Sequence, residues 1–453
     1  MRIIVAGCGK VGWTITEELS REGHDIAVID IRPKVIEAIT NSFDVLGVVG
    51  NAASFNVQKE AGIDRADLLI AVTDADEENM LTCLIAKKAA GCRTVARVRN
   101  PVYTEEIGFI KEELGLSMII NPELAAAGEI ASLLRFPSAI DIDSFARGRL
   151  SLLKFVIPEG SPLDRCAVKD IRKSIKADVL ICTDERNGEV VIPDGHFVLQ
   201  AKDKASIVAT PDNARAFFDH IGLEQHRIRS CIIIGGGTIA YYLMRALRGT
   251  GIHVTVIEQD EARCRYLSEQ YPQADIICGD GTNERLLQEE GIAAADSFVA
   301  LTGIDETNIF LTLYAKNASK AKSVVKVGHV GYRDILETMD LGSIVDPKSL
   351  TAERIISFVR AMQNSIGSNV ETLYRLIEGK VEALEFAIQE GSPVVGPQLS
   401  ELRTKKGVLV AAINRGGNGK ILIPNGQSTI QVGDRVVVVT THSGFRDIKD
   451  ILE

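Results

Sequence analysis

The chain has 453 residues and a formal net charge of −10, with 45% hydrophobic and 25% charged residues. An acidic balance of this size excludes a general nucleic-acid binder, which needs Lys and Arg to neutralise phosphates. No apolar run approaches the ~20 residues that span a bilayer. Its eight cysteines include no Cys-x-x-Cys pair and its seven histidines no His-Glu-x-x-His, so no metal site is expected and the thiols should be reduced and mostly buried. The N-terminus enters a strand at once, without the basic and apolar regions of a signal peptide, and a cytoplasmic location is expected. At ~100–200 residues per domain the length allows roughly two to four domains.

The chain opens with a buried strand running into Gly7-Cys8-Gly9-Lys10-Val11-Gly12, then a helix and a second strand that ends at Asp30. In a Gly-x-Gly-x-x-Gly turn the glycines allow a tight bend, close approach to a pyrophosphate and close packing of helix on strand. Pyrophosphate would lie on the amides of Gly7 to Val11, at the positive end of the helix. A carboxylate at Asp30 accepts ribose hydroxyls and repels a 2′-phosphate, which favours NAD over NADP; Arg32, two residues on, complicates that preference.

Helices and short apolar strands then alternate. Val45–Val49 ends at Gly50-Asn51-Ala52, Leu68–Val72 at Thr73-Asp74, and Thr94–Val98 carries Arg97. This alternation predicts a parallel sheet covered on both faces, with ligands at the carboxyl ends of its strands. Asn51, Thr73 and Asp74 stand at such ends, and Arg97 is placed to donate to a phosphate. Asp76, Glu77 and Glu78 read as acids of a helix first turn, favoured by the helix dipole. Cys8 reads as a small loop residue, and His24 and His253 as surface residues. A sixth strand, Ser117–Ile120, leads to a helix over Glu123–Phe136, stopped by Pro137.

Composition shifts near Leu150, where a small α+β module of about seventy residues is expected. Within it Asn187-Gly188 marks a hairpin. The chain then begins again: Gly235-Gly236-Gly237-Thr238-Ile239-Ala240 repeats the opening loop 228 residues on, and Glu258 takes the place of Asp30. Gly279-Asp280-Gly281 corresponds to Gly50-Asn51-Ala52, Thr302-Gly303 to Thr73-Asp74, and Lys326 to Arg97. The small module returns as well, with Gly391-Ser392-Pro393 matching Gly160-Ser161-Pro162 and Ile423-Pro424-Asn425-Gly426 matching Ile192-Pro193-Asp194-Gly195. The expected architecture is a duplication: large modules over 1–140 and 226–365, and small ones over 141–225 and 366–453.

Hydride transfer needs a substrate pocket and usually an acid or base within reach. No constellation in the small modules suggests either. An oxidoreductase with an unrecognised substrate is the alternative reading, and paired ligand sensors are the preferred one.

Gly7-x-Gly9-x-x-Gly12 with Asp30, followed by the module with Gly160-Ser161-Pro162 and Ile192-Pro193-x-Gly195, resembles the RCK (KTN) family over essentially the whole chain. The resemblance implies two Rossmann-like domains, each followed by a small α+β domain, in a non-enzymatic regulatory subunit that binds NAD(H), and in some relatives ATP or ADP. It also implies self-association, as a homotetramer, beneath a potassium-translocating integral membrane subunit (TrkH-like). Carried over by the resemblance are Gly7 to Gly12, Asp30, Thr73, Asp74 and Arg97, then Gly235 to Ile239, Glu258, Gly279, Asp280, Thr302 and Lys326. Helices Glu123–Phe136 and Ser349–Met362 match crossover segments that dock modules in pairs. Arg99 has only Gly328 opposite it, so the first site is more cationic and is expected to hold the more highly charged nucleotide.

Overall fold

The computed structural model describes residues 1–145, 150–175, 177–223, 228–328, 336, 339, 341–364, 370–376, 380–416, 420–442 and 444–453. They form two compact units, one of Met1–Ala131 with Arg229–Ile356, the other of Ser132–Ile228 with Ser357–Glu453.

The first unit holds both large modules. In the first, strands β1 (Arg2–Ala6), β2 (Asp25–Asp30), β3 (Leu46–Val49), β4 (Leu68–Ala71), β5 (Arg93–Arg97) and β6 (Met118–Ile120) form a sheet in the order β3-β2-β1-β4-β5-β6. All its pairings are parallel. Chain order reverses between β1 and β4, which opens a crevice at their carboxyl ends. Beyond Arg2 the central strands are apolar: Ile3, Ile4, Val5 and Leu68 to Ala71 have no solvent exposure. Each such Ile or Leu contributes about 1.5–3 kcal/mol by leaving water.

Helices α1 (Lys10–Arg21), α2 (Pro33–Ser42), α3 (Phe55–Glu60), α4 (Asp76–Ala90), α5 (Pro101–Glu105), α6 (Ile107–Glu113) and α7 (Pro122–Arg135) connect or follow the strands. Helix α1 buries Val11, Ile15 and Leu19, a stripe at helical spacing. Helix α4 ends at Gly91, whose φ of 66° is the left-handed cap that glycine adopts without strain. His24, expected at the surface, is buried, and its Nδ1 lies 3.4 Å from the N-terminal nitrogen. Its place just before β2, under the chain terminus, gives no signal in hydropathy.

The second large module repeats this plan. Strands β12 (Ser230–Ile234), β13 (His253–Glu258), β14 (Asp275–Cys278), β15 (Ser297–Ala300), β16 (Lys322–Lys326) and β17 (Ser343–Val345) follow the order β14-β13-β12-β15-β16-β17. Its helices are α10 (Thr238–Leu247), α11 (Glu261–Gln270), α12 (Glu284–Glu289), α13 (Asp305–Ala318) and α14 (Pro347–Asn364). The two modules touch at Tyr242 of α10. Its hydroxyl donates to the Arg99 carbonyl at 2.8 Å and lies 2.9 Å from Thr104 Oγ1 and 3.0 Å from Asn121 Nδ2.

The second unit holds two antiparallel sheets. Strands β7 (Asp141–Phe145), β8 (Leu150–Val156), β9 (Leu180–Arg186), β10 (Glu189–Val191) and β11 (Lys204–Ala209) run in the order β10-β9-β11-β8-β7, with helices α8 (Val168–Ser174) and α9 (Pro211–His220) in the same module. Strands β18 (Val370–Leu376), β19 (Val381–Ala387), β20 (Val408–Arg415), β21 (Lys420–Leu422) and β22 (Arg435–Thr440) run β18-β19-β22-β20-β21. The β9–β10 hairpin turns at Asn187 and Gly188, both at positive φ (54° and 81°), as an Asn-Gly turn requires. Leu152, Cys182 and Val208 share one apolar cluster with Ala383, Ala411 and Val439, so the two sheets are packed together.

Candidate functional site

The first cradle is built where β1, β2 and β4 end. Gly7 has a φ of +93°, and a Cβ there would stand 2.7 Å from the Thr73 amide nitrogen, so only glycine lets the loop pass beneath β4. At Gly9 a Cβ would meet nothing within 4 Å. Gly9 precedes α1 with extended backbone, and its carbonyl accepts from Trp13 N at 2.8 Å. The glycine therefore faces open space at the positive end of the helix, the setting that suits a phosphate group.

Two of the amides expected to hold pyrophosphate are engaged elsewhere. Gly7 N donates to the Ile29 carbonyl at 2.8 Å, and Cys8 N to Asp30 Oδ2 at 2.8 Å. Gly9, Lys10 and Val11 belong to the opening turn of α1, whose N–H groups have no partner within the helix. Burial pushes the Cys8 thiol up to about 12 and keeps it protonated, with the Asp30 charge acting in the same direction.

Asp30 does more than wait for ribose. Its carboxylate accepts from Arg32 N at 2.9 Å, Arg32 Nε at 2.9 Å and Arg32 Nη2 at 3.0 Å, besides Cys8 N. Burial opposes its ionisation, but these hydrogen bonds outweigh burial and hold the carboxyl below its ordinary range. The Arg32 side chain is half exposed, so it is the removable partner of the set. The resulting cavity, about 180 Å³, is walled by Gly7, Gly9, Asp30, Arg32, Thr73 and Asp74.

Asn51 and Asp280 act first on their own loops. Asn51 Oδ1 accepts from Ala53 N at 2.7 Å, and Asp280 Oδ1 from Thr282 N and Thr282 Oγ1 at 2.9 and 2.8 Å. Both are turn residues, consistent with an Asn and an Asp exchanging across the repeat.

A buried asparagine positions the far wall. Asn79 Oδ1 accepts from Thr73 N and Thr73 Oγ1, both at 2.8 Å, while its Nδ2 donates to Thr73 O at 3.1 Å and Arg97 O at 3.0 Å. In the repeat Asn308 makes the same four bonds to Thr302 and Lys326, at 2.7–3.2 Å. Neither asparagine was assigned a role from sequence, although the shared Asp-Glu-x-Asn run is the signal that marks them. Asp76, read as a helix-dipole acid, opens α4 as expected and also accepts from the amides of Arg99 and Asn100, both at 2.8 Å.

The second cradle keeps this geometry with different side chains. Gly235 N donates to Ile257 O at 2.9 Å, and Gly236 N to Glu258 Oε2 at 2.6 Å. A Cβ at Gly237 would meet nothing within 4 Å, the counterpart of Gly9. Thr238 and Ile239 open α10. Arg263, absent from the sequence reading, donates from Nε to Gly236 O at 2.6 Å and from Nη2 to Gly237 O at 3.2 Å. Unlike Arg32, which pairs with the acid itself, Arg263 holds the loop carbonyls, and it comes from a position with no matching cation in the first copy.

Arg97 and Lys326 do not line the first cavity. Arg97 is buried, with Nη2 2.5 Å from Thr73 O and 3.5 Å from Asp74 Oδ1, and Lys326 Nζ lies 2.6 Å from Thr302 O. Both face a larger cavity between the two modules, about 460 Å³, shared with Lys10, Arg99 and Lys348. Opposing these cations are Glu123, Asp305 and Glu306. Burial depresses the affinity of Arg97 and Lys326 for their protons and raises that of the Glu123 carboxyl, whose Oε2 is buried without a hydrogen bond. The cavity also contains Val11 and Ile239, one from each helix opening. At Lys348 the repeat reverses a charge: Asp346-Pro347-Lys348 stands where the first copy has Asn121-Pro122-Glu123.

The TrkA-N domain family matches residues 3–122 and 231–347, and the TrkA-C domain family residues 152–222 and 383–453. The chain belongs to the TrkA family. A Trk system potassium uptake protein TrkA homolog of Archaeoglobus fulgidus is 32% identical over 451 residues, covering 100% of each chain. Among solved structures, the GsuK channel bound to NAD is similar with a TM-score of 0.63 at 18% identity, over 97% of this chain and 76% of that one. GsuK bound to ADP is similar with a TM-score of 0.50 at 15% identity, over 80% and 69%. At these identities the GsuK likeness establishes the fold, two tandem Rossmann-like domains each followed by a small α+β domain.

Proposed function

We propose that this chain is a nucleotide-sensing regulatory subunit that binds NAD(H), and ADP or ATP, and gates a separate potassium-translocating membrane protein. The observation that carries this reading is the duplicated cradle, with open space at Gly9 and Gly237 and an acid anchoring the loop at Asp30 and Glu258. The names of the relative and of the two solved structures support the potassium partner and the nucleotide class.

In this reading the amides from Gly9 to Val11, and from Gly237 to Ile239, hold the pyrophosphate. Asp30 and Glu258 orient the ribose, with Arg32 swinging out as hydroxyls take its place. Gly50, Thr73 and Asp74, and Gly279 and Thr302 in the repeat, wall the nucleoside side. The cavity between the modules receives the charged end of a nucleotide and gives both modules a share in one ligand, the first module contributing more cations. A ligand that touches both modules binds their arrangements unequally, and only unequal binding shifts a conformational equilibrium. Coupling of this kind is typically worth ~1–3 kcal/mol per effector.

The subunit works as a self-associated assembly, a homotetramer, on the inner face of the membrane, and carries out no reaction of its own. Potassium flux through the partner in vesicles, measured with the full chain and NADH, ADP or ATP, tests this. A nucleotide-dependent change in flux is expected; binding that leaves flux unchanged contradicts the reading.

A further inference from the structure

Cys264 and Cys278 both lie at Glu258, the acid of the second cradle. Cys264, on α11, is buried, and its Sγ donates to Glu258 O at 3.2 Å. Cys278 ends β14 and is exposed, and its backbone stands in register with Glu258 across the parallel β13–β14 pair. The same Glu258 oxygen accepts from Gly279 N at 2.9 Å, so the Cys264 thiol and the backbone just after Cys278 meet at a single peptide group. Helix α11 packs against β14, so the two cysteines lie on packed elements that meet at Glu258. The first module has Ile36 and Val49 at these places, so the arrangement belongs to one cradle only.

We propose that Cys264 and Cys278 are an oxidative modification site, a dithiol that hydrogen peroxide closes to a disulfide against Glu258. Cys278 is the attacking group because it is the exposed one of the pair. Its thiolate attacks one peroxide oxygen, the O–O bond breaks, and the departing hydroxide takes the thiol proton as water, leaving a sulfenic acid on Cys278. Cys264 Sγ then attacks the Cys278 sulfur. The S–S bond forms, the S–O bond breaks, and a second water leaves with the Cys264 proton. Each sulfur loses one electron and the peroxide gains two. Burial holds the Cys264 thiol protonated, up to about 11, so Cys264 is not the group that meets peroxide first and attacks only once the sulfenic acid stands beside it.

The link withdraws the Sγ–H donor from Glu258 O and ties α11 to β14. Helix α11 carries Arg263, β14 leads directly into Gly279, and Glu258 between them anchors Gly236 N. Oxidation therefore narrows the ribose end of the second cradle. This consequence rests on the nucleotide-sensing reading; the modification itself does not.

The test treats the full chain with hydrogen peroxide, alkylates remaining thiols, and maps the peptides by mass spectrometry, alongside NADH and ADP titrations of reduced and oxidised protein. A Cys264–Cys278 cross-linked peptide, reversed by a thiol reductant and absent from Cys278→Ser, is expected. One class of nucleotide site should weaken by about fivefold or more on oxidation, within the usual range of site coupling, while the other is unchanged. Independent alkylation of both cysteines after peroxide overturns the proposal. A cross-link that leaves every nucleotide affinity unchanged overturns its link to the cradle. Failure of the reduced chain to bind either nucleotide overturns the sensing reading, and the peptide map still decides the dithiol.

Discussion

Gly7 and Gly9 stand two residues apart in the first loop and are glycines for different reasons. Gly7 answers to the protein itself, through its positive φ and the Thr73 backbone beneath it. Gly9 answers to whatever fills the space in front of it. Gly9→Val should therefore leave the melting temperature nearly unchanged, within the ~0.5 kcal/mol usual for a substitution that meets nothing. It should weaken nucleotide binding at the first cradle by more than ~100-fold, or about 2.7 kcal/mol; calorimetric titration and thermal melts read the two effects separately. Arg32 allows a second test. Its removal strips donors from Asp30, leaving a carboxylate that repels a 2′-phosphate without a neighbouring cation. Arg32→Ala should raise the NADH-over-NADPH preference by roughly 3–10-fold through that unscreened charge, measured by competitive titration.

At the scale of elements, the contact between the large modules turns on α10. Tyr242→Phe removes the hydroxyl that bridges Arg99 O, Thr104 and Asn121 while keeping the ring. A loss of about 1–2 kcal/mol in denaturant unfolding is expected from unmade buried hydrogen bonds, with weaker coupling between the two nucleotide sites. In the small modules β9 carries a different feature. Arg186 pairs with Asp203 at 2.6 Å, and Arg415 repeats this with Asp434 at 2.7 Å. Asp184 has no counterpart acid in the repeat: Ile413 occupies its place. It is fully buried, neither carboxylate oxygen is hydrogen-bonded, and burial, then the Asp203 charge, push its carboxyl up to about 7, against the opposing pull of Arg186. The unfolded chain loses that proton near pH 4 while the folded chain keeps it. Stability from this group is therefore fully present below about pH 4 and declines as pH rises toward 7, by up to ~4 kcal/mol. Asp184→Asn should flatten that part of the stability profile, measured by chemical denaturation across pH 4–8.

For the whole molecule, the duplication was legible because its landmarks are residues with fixed backbone or burial roles. Gly7 and Gly235 share a positive φ, and Asn79 and Asn308 share four hydrogen bonds. The parallel pairing in both large modules follows from strands alternating with helices, a pattern that burial on both faces imposes. What sequence left hidden arises from contacts between distant segments. Strand β7 alternates acids with apolar residues after Pro137 and was not anticipated; pairing with β8 forms it. Arg97 and Lys326, expected at a phosphate, line the cavity between modules, a placement that their own strands do not reveal. Arg263 and Lys348 escaped notice because each acts from a position without a matching residue in the other copy.

The central claim is that the chain grips nucleotide at two separate and unequal cradles. Calorimetric titration of NADH and ADP into the full chain, into Gly9→Val, into Gly237→Val and into the double variant tests it most directly. Two classes of site are expected in the parent chain, each lost with its own variant and both lost in the double. Undiminished binding in the double variant, or no binding to the parent chain, would contradict the account.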